Sequence, residues 1–509
     1  MEASKAKICV PVCAATNEWI HSMARAAEIG DLLELRLDCL PKEKRESAWR
    51  EFVASTDRTI ILTLRPAEQG GEANVLRADR LQFWSSIQNL RDRVMVDLEL
   101  DVINEALANT DLDSSRVICS HHQFEGEIAN PEGLYERMAA QPAAVLKIAV
   151  RADDAIDCLP IFKLLERAQR DRRELIAIAM GQAGVMTRIL GPSRGSFLTF
   201  GALDDETATA PGQLTARQLR DVYRIDRINR QTQIMGLIGN PVAHSMSPRI
   251  HNAAFAKSNA NAVFIPFEVH DLDGFMRRMV RRATREIDWN VRGLSVTAPH
   301  KASVMKHLNW IEPGAKEIGA VNTIVVQDDA LHGYNTDAPA FIKTLRGRVD
   351  QLENLRCAVI GAGGAARGVV WALKNAGASV RVFARNKTKA SSIGDDFQIA
   401  INELAQANFK DSDVIVNATP LGTLGAHQSD TAVVAAQLRG VRWAYDLVYN
   451  PLETRFMREA KAAGCETIGG LEMLIAQAVG QFKLWTGAVP DVDTMRAAAE
   501  KALGTISTS

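Results

Sequence analysis

One lysine, Lys147, is set in a strongly apolar run. Residues 144–150 read Ala-Val-Leu-Lys-Ile-Ala-Val, which is the composition of a buried strand. An ammonium group among apolar neighbours is poorly solvated, and a desolvated lysine suits attack on a ketone to form a Schiff base. A strand-end lysine that extends to water is the structural alternative, and the residue alone does not separate the two.

Other side chains in the first half favour the catalytic interpretation. His121 and His122 end the strand-like run before that of Lys147, and adjacent parallel strands would bring a histidine near the lysine as a general acid/base. A histidine pair on its own is more often structural. Three arginines at other strand ends add positive charge that suits an anionic substrate, most simply a carboxylate: Arg36, Arg65 and Arg188.

A glycine-rich turn in the second half is typical of a dinucleotide site. Residues 357–367 read Cys-Ala-Val-Ile-Gly-Ala-Gly-Gly-Ala-Ala-Arg, a strand that enters a helix through a Gly-x-Gly-x-x-Ala turn. Such a turn is weak evidence alone, but a second strand follows at 378–384 as the motif requires. An NAD-selective fold has an acidic residue after that strand, whereas this sequence has Arg385-Asn-Lys-Thr-Lys389. These cations predict NADP, with a solvated basic turn as the alternative.

Polar residues also follow strand-like runs between 234 and 340. Each of them alone would pass for a helix cap or a turn residue. Together they place hydroxyl, amide, ammonium and carboxylate groups at one end of an α/β unit. They are Ser245 and Ser247 at the start of a helix, Thr297 and Lys301 at the end of a strand, and Asn322 and Asp337 at further strand ends.

The elements that must position the first set are eight β-rich runs with helical stretches between them. Near-continuous apolar strands that alternate with helices indicate a parallel sheet, and eight such units predict a (β/α)8 barrel. An open doubly wound sheet is the alternative. The barrel is favoured because the polar residues fall at strand carboxyl ends. The runs are 7–12, 32–37, 59–64, 93–100, 116–120, 144–150, 174–180 and 196–200.

The second half predicts a different α/β organisation in two lobes. We expect the barrel to occupy residues 1–230 and a substrate-binding domain to occupy 231–340. A Rossmann domain at 341–470 would bind NADP, and a helical segment at 471–509 would complete this module. The whole chain is therefore predicted to be of the α/β class.

Composition points to small-molecule partners. The formal net charge of the 509 residues is −1, which gives no electrostatic reason to expect nucleic acid or an anionic membrane. Seven scattered cysteines indicate reduced thiols and a cytoplasmic protein. The first seven residues lack the apolar core of a secretory signal, no run approaches a transmembrane length, and no cluster has metal-ligand spacing, so no metal is expected.

The first half, from Ile8 to Tyr223, resembles the type I 3-dehydroquinate dehydratase family. The resemblance implies that Lys147 forms an imine with the C3 ketone of 3-dehydroquinate. It also implies that His122, rather than His121, removes the C2 proton and then protonates the departing hydroxyl. The motifs that carry it are Glu34-Leu-Arg-Leu-Asp38, Thr63-Leu-Arg65, Ser120-His-His-Gln-Phe124, Leu146-Lys-Ile-Ala149, Met180-Gly181 with Thr187-Arg188, and Ala210-Pro-Gly-Gln213.

The same resemblance implies binding roles. Segment 204–213 resembles a lid. Where the family usually has Glu before Gly-Gly, this sequence has Glu68 and Gln69, so a substrate-contacting carboxylate is either shifted or replaced by an amide. Arg188 would hold the carboxylate, and the residues that hold hydroxyls or order the site would be Glu34, Arg36, Arg65, Thr209 and Gln213.

Residues 233–487 resemble shikimate dehydrogenase. The resemblance implies that NADPH reduces the C3 ketone of 3-dehydroshikimate, with Lys301 and Asp337 as the catalytic pair. Substrate would be held by Ser245, Ser247, Thr297, Asn322, Tyr449 and Gln477. The motifs are Asn240-Pro-Val-Ala-His-Ser-Met-Ser-Pro248, Ser295-Val-Thr-Ala-Pro-His-Lys301, Asn417-Ala-Thr-Pro-Leu-Gly422, Asp446-Leu-Val-Tyr-Asn-Pro451 and Gly470-Leu-Glu-Met-Leu-Ile-Ala-Gln477.

The cofactor contacts implied by this resemblance lie on the glycine turn and on loops after later strands. Ser295 and Ala384 depart from the family, which commonly has Asn at both positions, and each change removes at most a hydrogen bond of about 0.5 to 1.5 kcal/mol. The implied contacts are Gly361, Ala362, Gly363, Gly364, Ala365, Arg385, Lys389, Thr419, Leu447, Gly470 and Met473.

The two resemblances support each other, because the product of the first reaction is the substrate of the second. Two alternatives stay open. The second module could act on quinate, although Ser247 and Thr297 favour shikimate. The chain could also be a non-catalytic sensor of pathway metabolites, against which Lys147 and Lys301, each with its catalytic partner, argue.

Overall fold

The computed structural model describes residues 6–13, 19–126 and 130–506. The described residues form two compact units, each built from two stretches of chain. The first unit takes those of Met1–Gln233 and Asn261–Asn290, and the second takes those of Ile234–Ala260 and Val291–Ser509. Within this part of the chain, none of the helices combines the length and the apolar character that a membrane crossing requires.

The first unit contains an eight-stranded parallel sheet that curls into a barrel. Each strand from the second to the seventh pairs with the one before it, and the first strand also pairs with the eighth. The predicted barrel is confirmed, and the open sheet is wrong. The strands are β1 (Ile8–Val12), β2 (Leu32–Arg36), β3 (Thr59–Thr63), β4 (Val94–Glu99), β5 (Val117–Gln123), β6 (Val145–Arg151), β7 (Glu174–Met180) and β8 (Thr199–Phe200).

Helices connect these strands, as a parallel sheet requires. The longest is strongly amphipathic and buries its apolar face, which includes Phe162 and Leu165. The helices are α1 (Trp19–Ile29), α2 (Arg45–Ala54), α3 (Arg77–Ser86), α4 (Ile103–Ala108), α5 (Pro131–Ala139), α6 (Leu159–Asp171) and α7 (Val185–Leu190).

Alternate residues of each barrel strand point inward, and their chemical type changes along the strand. Nearer the amino ends, Leu32, Ile61, Ile118 and Val145 belong to one buried apolar cluster. Because side chains alternate between the two faces of a strand, the next inward position is two residues later. On β2 to β6 that position is polar, and the residues are Glu34, Thr63, Asp97, Ser120 and Lys147. Reactive groups are thereby confined to the carboxyl ends of the strands.

The expectation that all seven cysteines are reduced is wrong for two of them. Cys13 and Cys39 form a disulfide with a Cα–Cα distance of 5.5 Å. They follow the paired strands β1 and β2, whose carboxyl ends are adjacent in the barrel, so residues 26 positions apart in sequence come within bonding range. The other five cysteines are free and buried.

The chain passes three times between the units after the barrel, at 233, 260 and 290. It enters β9 (Gln233–Gly239) and α8 (Ser247–Lys257), and then returns to the first unit for β10 (Ala262–Glu268) and α9 (Leu272–Phe275). Asp154 holds this returning segment within the first unit. Its Oδ2 accepts hydrogen bonds from the backbone N–H groups of His270 and Asp271, at 2.7 and 2.8 Å.

A mixed sheet forms one part of the second unit. Its neighbouring strands β9, β11, β13, β14 and β12 are joined by both parallel and antiparallel pairing. The new elements are β11 (Asn290–Val296), β12 (Trp310–Ile311), α10 (Pro313–Ile318), β13 (Thr323–Gln327), β14 (Ala330–Tyr334) and α11 (Asp337–Arg346).

A parallel six-stranded sheet in the order β17-β16-β15-β18-β19-β20 forms the other part, with the doubly wound order of a Rossmann fold. Two closing helices follow it. The elements are β15 (Arg356–Ile360), α12 (Gly364–Asn375), β16 (Ser379–Ala384), α13 (Lys387–Phe397), β17 (Ile401–Glu403), β18 (Val414–Asn417), α14 (Ala435–Leu438), β19 (Trp443–Asp446), α15 (Arg455–Ala462), β20 (Glu466–Ile468), α16 (Leu471–Thr486) and α17 (Val492–Ile506).

Candidate active sites

All eight barrel residues with a predicted role line one pocket at the strand carboxyl ends. Strands β2, β5 and β6, the loop after β3, helix α7 and the segment after β8 each contribute to it. Phe124, Met180 and Phe200 add apolar surface that the sequence analysis did not anticipate. The predicted residues that the structure brings together are Glu34, Arg36, Arg65, His122, Lys147, Arg188, Thr209 and Gln213.

Lys147 is buried between carboxylates and an aromatic ring. Its Nζ lies 2.9 Å from Asp97 Oδ2 and 3.5 Å from Glu34 Oε1, and 4.4 Å from the centre of the Phe200 ring. Burial alone would raise the pKa of Asp97, but the Arg65 guanidinium and the Lys147 ammonium together hold it at about 2. Asp97 therefore stays ionised and orients the lysine.

Asp97 was missed, although the sequence carries a signal for it. The run Val94–Glu99 is apolar at every other position but carries Asp97 and Glu99 on the face that also bears Met95. A carboxylate inside an apolar strand must be paired when buried. Lys147 and Arg65 provide that pairing.

The strand alternation separates the two histidines. His122 lines the pocket with Lys147, whereas His121 points to the opposite face of β5. Burial, followed by the nearby Arg65, Lys147 and Arg36, lowers the pKa of His122 well below its usual value. The imidazole is therefore neutral and able to accept a proton, and its Nδ1 is buried with no protein partner.

The structure places the side chains of Glu68 and Gln69 in different environments. The Gln69 side chain lines the pocket, and its Oε1 accepts a hydrogen bond from the His122 backbone N–H at 3.1 Å. Glu68 points outward with 65% of its side chain exposed. An amide thus occupies the position at which the family usually has a carboxylate.

Arg188 provides a buried positive charge. It belongs to α7, is 2% exposed, and its Nε has no protein partner. Burial lowers its pKa to about 10, so the guanidinium is still charged at neutral pH. Arg36 differs, because it makes two hydrogen bonds to Asp38, at 2.9 and 2.7 Å. Arg188 is therefore better placed to receive a carboxylate from a substrate.

The segment predicted as a lid contributes Thr209 and Gln213, which are bonded to each other. Gln213 Oε1 accepts hydrogen bonds from the Thr209 backbone N–H at 2.8 Å and from its hydroxyl at 3.2 Å. Gly212 has φ +68°, and a Cβ there would lie 2.1 Å from the Gly181 carbonyl oxygen. The turn at Gly212 therefore requires glycine.

In the second unit, Lys301 and Asp337 form an ion pair. Lys301 Nζ donates to Asp337 Oδ2 at 2.6 Å, and the Asn322 side-chain amide donates to Asp337 Oδ1 at 2.7 Å. Both members of the pair are mostly buried, with side chains 18% and 11% exposed. Asn322 Oδ1 also accepts from the Thr336 backbone N–H, which fixes the orientation of its amide.

The other predicted substrate residues differ in their contacts. Ser245 Oγ accepts a hydrogen bond from the Ser247 backbone N–H at 3.2 Å. The Tyr449 hydroxyl is hydrogen-bonded to Ser245, and burial raises the pKa of Tyr449. Thr297 follows β11, and its Cγ2 packs against Gly239 so closely that a Cβ there would lie 2.2 Å away. Gln477 instead bonds to a carbonyl oxygen of its own helix, that of Leu474.

Gln481, one helical turn beyond Gln477, was missed. It is fully buried, and its amide donates to Ser295 Oγ at 3.0 Å and to the Thr323 hydroxyl at 3.2 Å. Its Oε1 lies 3.2 Å from Nε2 of the buried His251. Ser295, the departure from the family pattern, is thus part of a satisfied polar network.

The glycine turn before α12 has the space and the backbone that a pyrophosphate needs. Gly361 has φ +112°, and a Cβ there would lie 2.9 Å from the Ala418 carbonyl oxygen. A Cβ at Gly363 would meet nothing within 4 Å, so this side of the turn is open. A Cβ at Gly364 would lie 3.2 Å from Lys301 Cδ, so the turn directly adjoins the Lys301–Asp337 pair. The turn therefore has room for a pyrophosphate and lies beside the Lys301–Asp337 pair.

The remaining predicted cofactor residues lie in this turn or on loops and helices after later strands. Thr419 donates to Asn417 Oδ1 at 2.7 Å, and the Leu447 backbone N–H donates to the Asn417 carbonyl at 3.0 Å. A Cβ at Gly470 would lie 2.4 Å from the Leu447 carbonyl oxygen. Ala362 and Ala365 are in the turn and the start of α12, and Met473 is buried on α16. Arg385 is exposed after β16, and Lys389 lies on α13 with its side chain outside the described residues.

The sequence analysis assigned no role to Asp446, whose carboxylate links the end of β18 to the segment that follows β19. Its Oδ1 accepts from the Asn417 amide at 2.9 Å and from the Val448 backbone N–H at 3.0 Å, and its Oδ2 accepts from the Thr454 hydroxyl at 2.5 Å. Burial raises the pKa of this carboxyl to about 6 despite the three donors. In the part of the chain that the structure describes, no group of three or more metal-ligating side chains occurs.

Family models match three successive parts of the chain. Residues 8–230 match type I 3-dehydroquinase, residues 237–324 match the shikimate dehydrogenase substrate binding domain, and residues 470–500 match the shikimate 5′-dehydrogenase C-terminal domain.

Individual relatives agree with these matches. A chloroplastic bifunctional 3-dehydroquinate dehydratase/shikimate dehydrogenase from Arabidopsis thaliana is 32% identical over 94% of this chain and 82% of its own length. A shikimate dehydrogenase (NADP(+)) from Carboxydothermus hydrogenoformans is 38% identical over 53% of this chain and 98% of its own length. A crystal structure of shikimate dehydrogenase in complex with NADP+ is 34% identical, covering 54% of this chain and 97% of that one, with a TM-score of 0.50.

Proposed function

Because this chain belongs to the family of bifunctional 3-dehydroquinate dehydratase/shikimate dehydrogenases, we propose which of its residues perform each reaction. The chain is a lyase and an NADP-dependent oxidoreductase of the shikimate pathway. It dehydrates 3-dehydroquinate to 3-dehydroshikimate, which it then reduces to shikimate. The observations that support the roles best are that the barrel residues line one pocket around Lys147, and that in each module the predicted lysine is paired with a carboxylate.

In the barrel, Lys147 is the nucleophile. Lys147 gives up a proton and attacks the C3 ketone as the amine, and that proton leaves with the carbinolamine oxygen as water, giving an iminium that acidifies the C2 proton. His122 accepts that proton, for which its neutral form is suited, and then returns a proton to the departing hydroxyl. Asp97, with a pKa of about 2, is too weak a base to keep a proton, so it orients the lysine. Arg188 pairs with the substrate carboxylate.

The other pocket residues hold the substrate or order the pocket. Glu34 and Arg65 contact the catalytic ion network, and Arg36 is held in place by Asp38. Thr209 and Gln213 close over the substrate from the segment after β8. Gln69 supports the backbone of His122 where the family usually uses a carboxylate.

Borohydride trapping tests these roles. Reduction in the presence of 3-dehydroquinate should leave a stable adduct on Lys147 that intact mass and peptide mapping detect. The matched histidine pair gives a second measurement. His122→Ala should lower dehydratase turnover by roughly 10² to 10⁴, whereas His121→Ala should have a small effect. An adduct on another residue, or a larger loss in His121→Ala, would overturn the assignment.

In the second unit, Lys301 and Asp337 act on the ketone that becomes a hydroxyl. Bound NADPH supplies the hydride. As negative charge develops on the ketone oxygen, the Lys301 ammonium stabilises it and donates a proton, and Asp337 keeps the ammonium oriented. Asn322 fixes Asp337 and presents its amide to the substrate. Ser245, Ser247, Thr297, Tyr449 and Gln477 hold the substrate's carboxylate and hydroxyls.

NADP is held by the turn and the loops around it. Gly361, Gly363 and Gly364 bring backbone N–H groups to the pyrophosphate, with Ala362 and Ala365 in the same turn. Arg385 and Lys389 pair with the 2′-phosphate. Thr419, Leu447, Gly470 and Met473 would complete the cofactor site. These roles are supported by the open side of the turn at Gly363 and by the position of Gly364 against Lys301.

A coupled assay tests the pair of activities. Dehydroquinate and NADPH added to the purified protein should yield shikimate and oxidise NADPH. Quinate and NADP+ should react much more slowly than shikimate and NADP+, since Ser247 and Thr297 favour shikimate. Faster oxidation of quinate than of shikimate would show that the second module acts on quinate. Absence of turnover in both steps would favour a non-catalytic sensor of pathway metabolites.

We further propose a division into a barrel at 1–230, a substrate-binding domain at 231–340, a Rossmann domain at 341–470 and a closing segment at 471–509. A cytoplasmic location is proposed for the chain because five of the seven cysteines are free and buried, as expected of reduced thiols. Its partners would be the two small-molecule substrates, with neither nucleic acid nor membrane. Fractionation of cells that express the protein tests the location.

A further inference from the structure

Behind the barrel pocket, a buried helix arginine continues the ion pairs of Lys147. Arg80 belongs to α3 and is 1% exposed, and Trp84 is the other buried residue of that short helix. A buried guanidinium loses its hydration, and this cost is offset only when its partners are close and well oriented. The partners of Arg80 are therefore informative.

Arg80 bonds to two carboxylates at the end of β4. Its Nη1 lies 2.8 Å from Glu99 Oε2, and its Nη2 lies 2.6 Å from Asp101 Oδ2. The other Glu99 oxygen, Oε1, accepts from Arg65 Nη1 at 2.8 Å. Glu99 is thus held between two guanidiniums, one from the pocket and one from the helix.

The second half of the Arg65 guanidinium leads to the reactive lysine. Arg65 Nη2 lies 2.8 Å from Asp97 Oδ2, and the same oxygen lies 2.9 Å from Lys147 Nζ. Cations and anions therefore alternate from Lys147 to Asp101, and every member except Asp101 is nearly or fully buried.

The ionised form of Glu99 depends on its two neighbours. Burial raises its pKa to about 7 although Arg65 and Arg80 both oppose the rise. Without Arg80 the remaining balance would favour a protonated Glu99. A neutral carboxyl attracts Arg65 less strongly, so the Arg65 guanidinium would be held less firmly beside Asp97.

We propose that Arg80 and Glu99 are positioning residues for the dehydratase, which hold Arg65 and, through Asp97, set the orientation of the Lys147 amine. This inference rests on the proposed imine-forming role of Lys147. Neither residue lines the pocket, so neither would touch the substrate. Their effect would be on the rate at which Lys147 attacks.

The test compares Arg80→Gln with Arg77→Gln, one helical turn earlier on α3. Arg77 is an exposed arginine that makes two hydrogen bonds to Glu105 and also donates to the Asp101 backbone carbonyl, so its loss removes a surface ion pair but leaves the Arg80–Glu99 contact in place. Arg80→Gln should lower dehydratase kcat at least tenfold, change KM for dehydroquinate less than threefold, and slow borohydride labelling of Lys147 in parallel. Arg77→Gln should match the wild type in all three.

The variant Arg80→Gln/Glu99→Gln separates positioning from mere stability. It leaves no lone buried carboxylate, and the amide oxygen introduced at position 99 can still accept from Arg65. If Arg80 acts by keeping Glu99 ionised, the double variant should match Arg80→Gln and Glu99→Gln in kcat and should not multiply their losses, because the residue at position 99 is neutral in all three. The comparison of the double variant with Glu99→Gln also stands if Arg80→Gln alone folds poorly.

Two results would overturn the proposal. One is wild-type kcat and labelling rate in folded Arg80→Gln. The other is a loss in the double variant equal to the product of the Arg80→Gln and Glu99→Gln losses. Failure of the imine role gives a different result, since the wild type itself would then carry no label on Lys147.

Discussion

Asp446→Asn should stabilise the second unit at neutral pH. The Asp446 carboxyl is fully buried and accepts three hydrogen bonds but has no cationic partner, and burial raises its pKa to about 6. The usual value in an unfolded chain is about 3.9. The folded protein therefore binds a proton more tightly than the unfolded chain does. Stability from this group is complete below about pH 4 and falls as pH rises toward 6.

The size of the effect follows from these two values. The carboxyl ionises about two pH units higher in the folded state, which corresponds to at most roughly 3 kcal/mol at pH 7, and local relaxation reduces this to roughly 1–3 kcal/mol. An asparagine keeps the shape. Its oxygen can accept from the Asn417 amide and the Val448 N–H, and its amide can donate to the Thr454 hydroxyl. The substitution thus removes the charge and keeps the contacts.

Native-state hydrogen exchange of β18 and β19 amides at pH 5 and pH 8 measures the effect within this unit. Asp446→Asn should slow exchange relative to the wild type at pH 8 and much less at pH 5. Asp413→Asn is the matched control of opposite sign. The Arg356 side chain lowers the pKa of Asp413, so that substitution should destabilise at pH 8. Faster exchange in Asp446→Asn at pH 8 would refute the reasoning.

Three further outcomes are expected. Lys301→Ala should lower shikimate dehydrogenase kcat by roughly 10² to 10⁴, with a smaller change in shikimate binding. Adding Asp337→Asn should lower kcat little further. Steady-state kinetics in which the two losses multiply would contradict the proposal that the two residues act as a unit. Arg385→Asp should raise KM for NADPH and narrow the preference over NADH, whereas equal use of both cofactors by the wild type would exclude a 2′-phosphate role. Because burial lowers the pKa of His122, the fall of dehydratase kcat/KM at acid pH that this histidine causes should occur well below pH 6.5. A fall centred at pH 6.5 that disappears in His122→Ala would show that the pKa of this histidine is not lowered in the free enzyme.

The sequence was sufficient for the barrel because each strand is a short apolar run that pairs with the next along the chain. It also predicted the residues around Lys147, since polar residues in such runs fall at strand carboxyl ends. The alternation within β4 would have added Asp97, whose face is shared with Met95. That inward position required only the period of two residues.

Contacts between distant segments were beyond local reasoning. The Cys13–Cys39 bond depends on two strand ends that meet only when the barrel forms, and cysteine spacing carries no sign of it. Gln481 lies in an apolar helix, and its partner Ser295 is 186 residues away. Arg80 has the sequence context of an exposed helix residue, so its burial is visible only once β4 is in place.

The return of residues 261–290 to the first unit has a consequence for dissecting the two activities. No single cut of the gene yields both units whole, because the chain crosses between them at 233, 260 and 290. A fragment that stops at 233 would lack the two backbone N–H groups that Asp154 binds, as well as Glu286, which pairs with Lys163. A complementary fragment that starts at 234 would keep those thirty residues, which lie within the match to the shikimate dehydrogenase substrate binding domain. The cut is therefore expected to harm the barrel fragment more than the dehydrogenase fragment, and inactivating one head by point substitution in the intact chain avoids this loss.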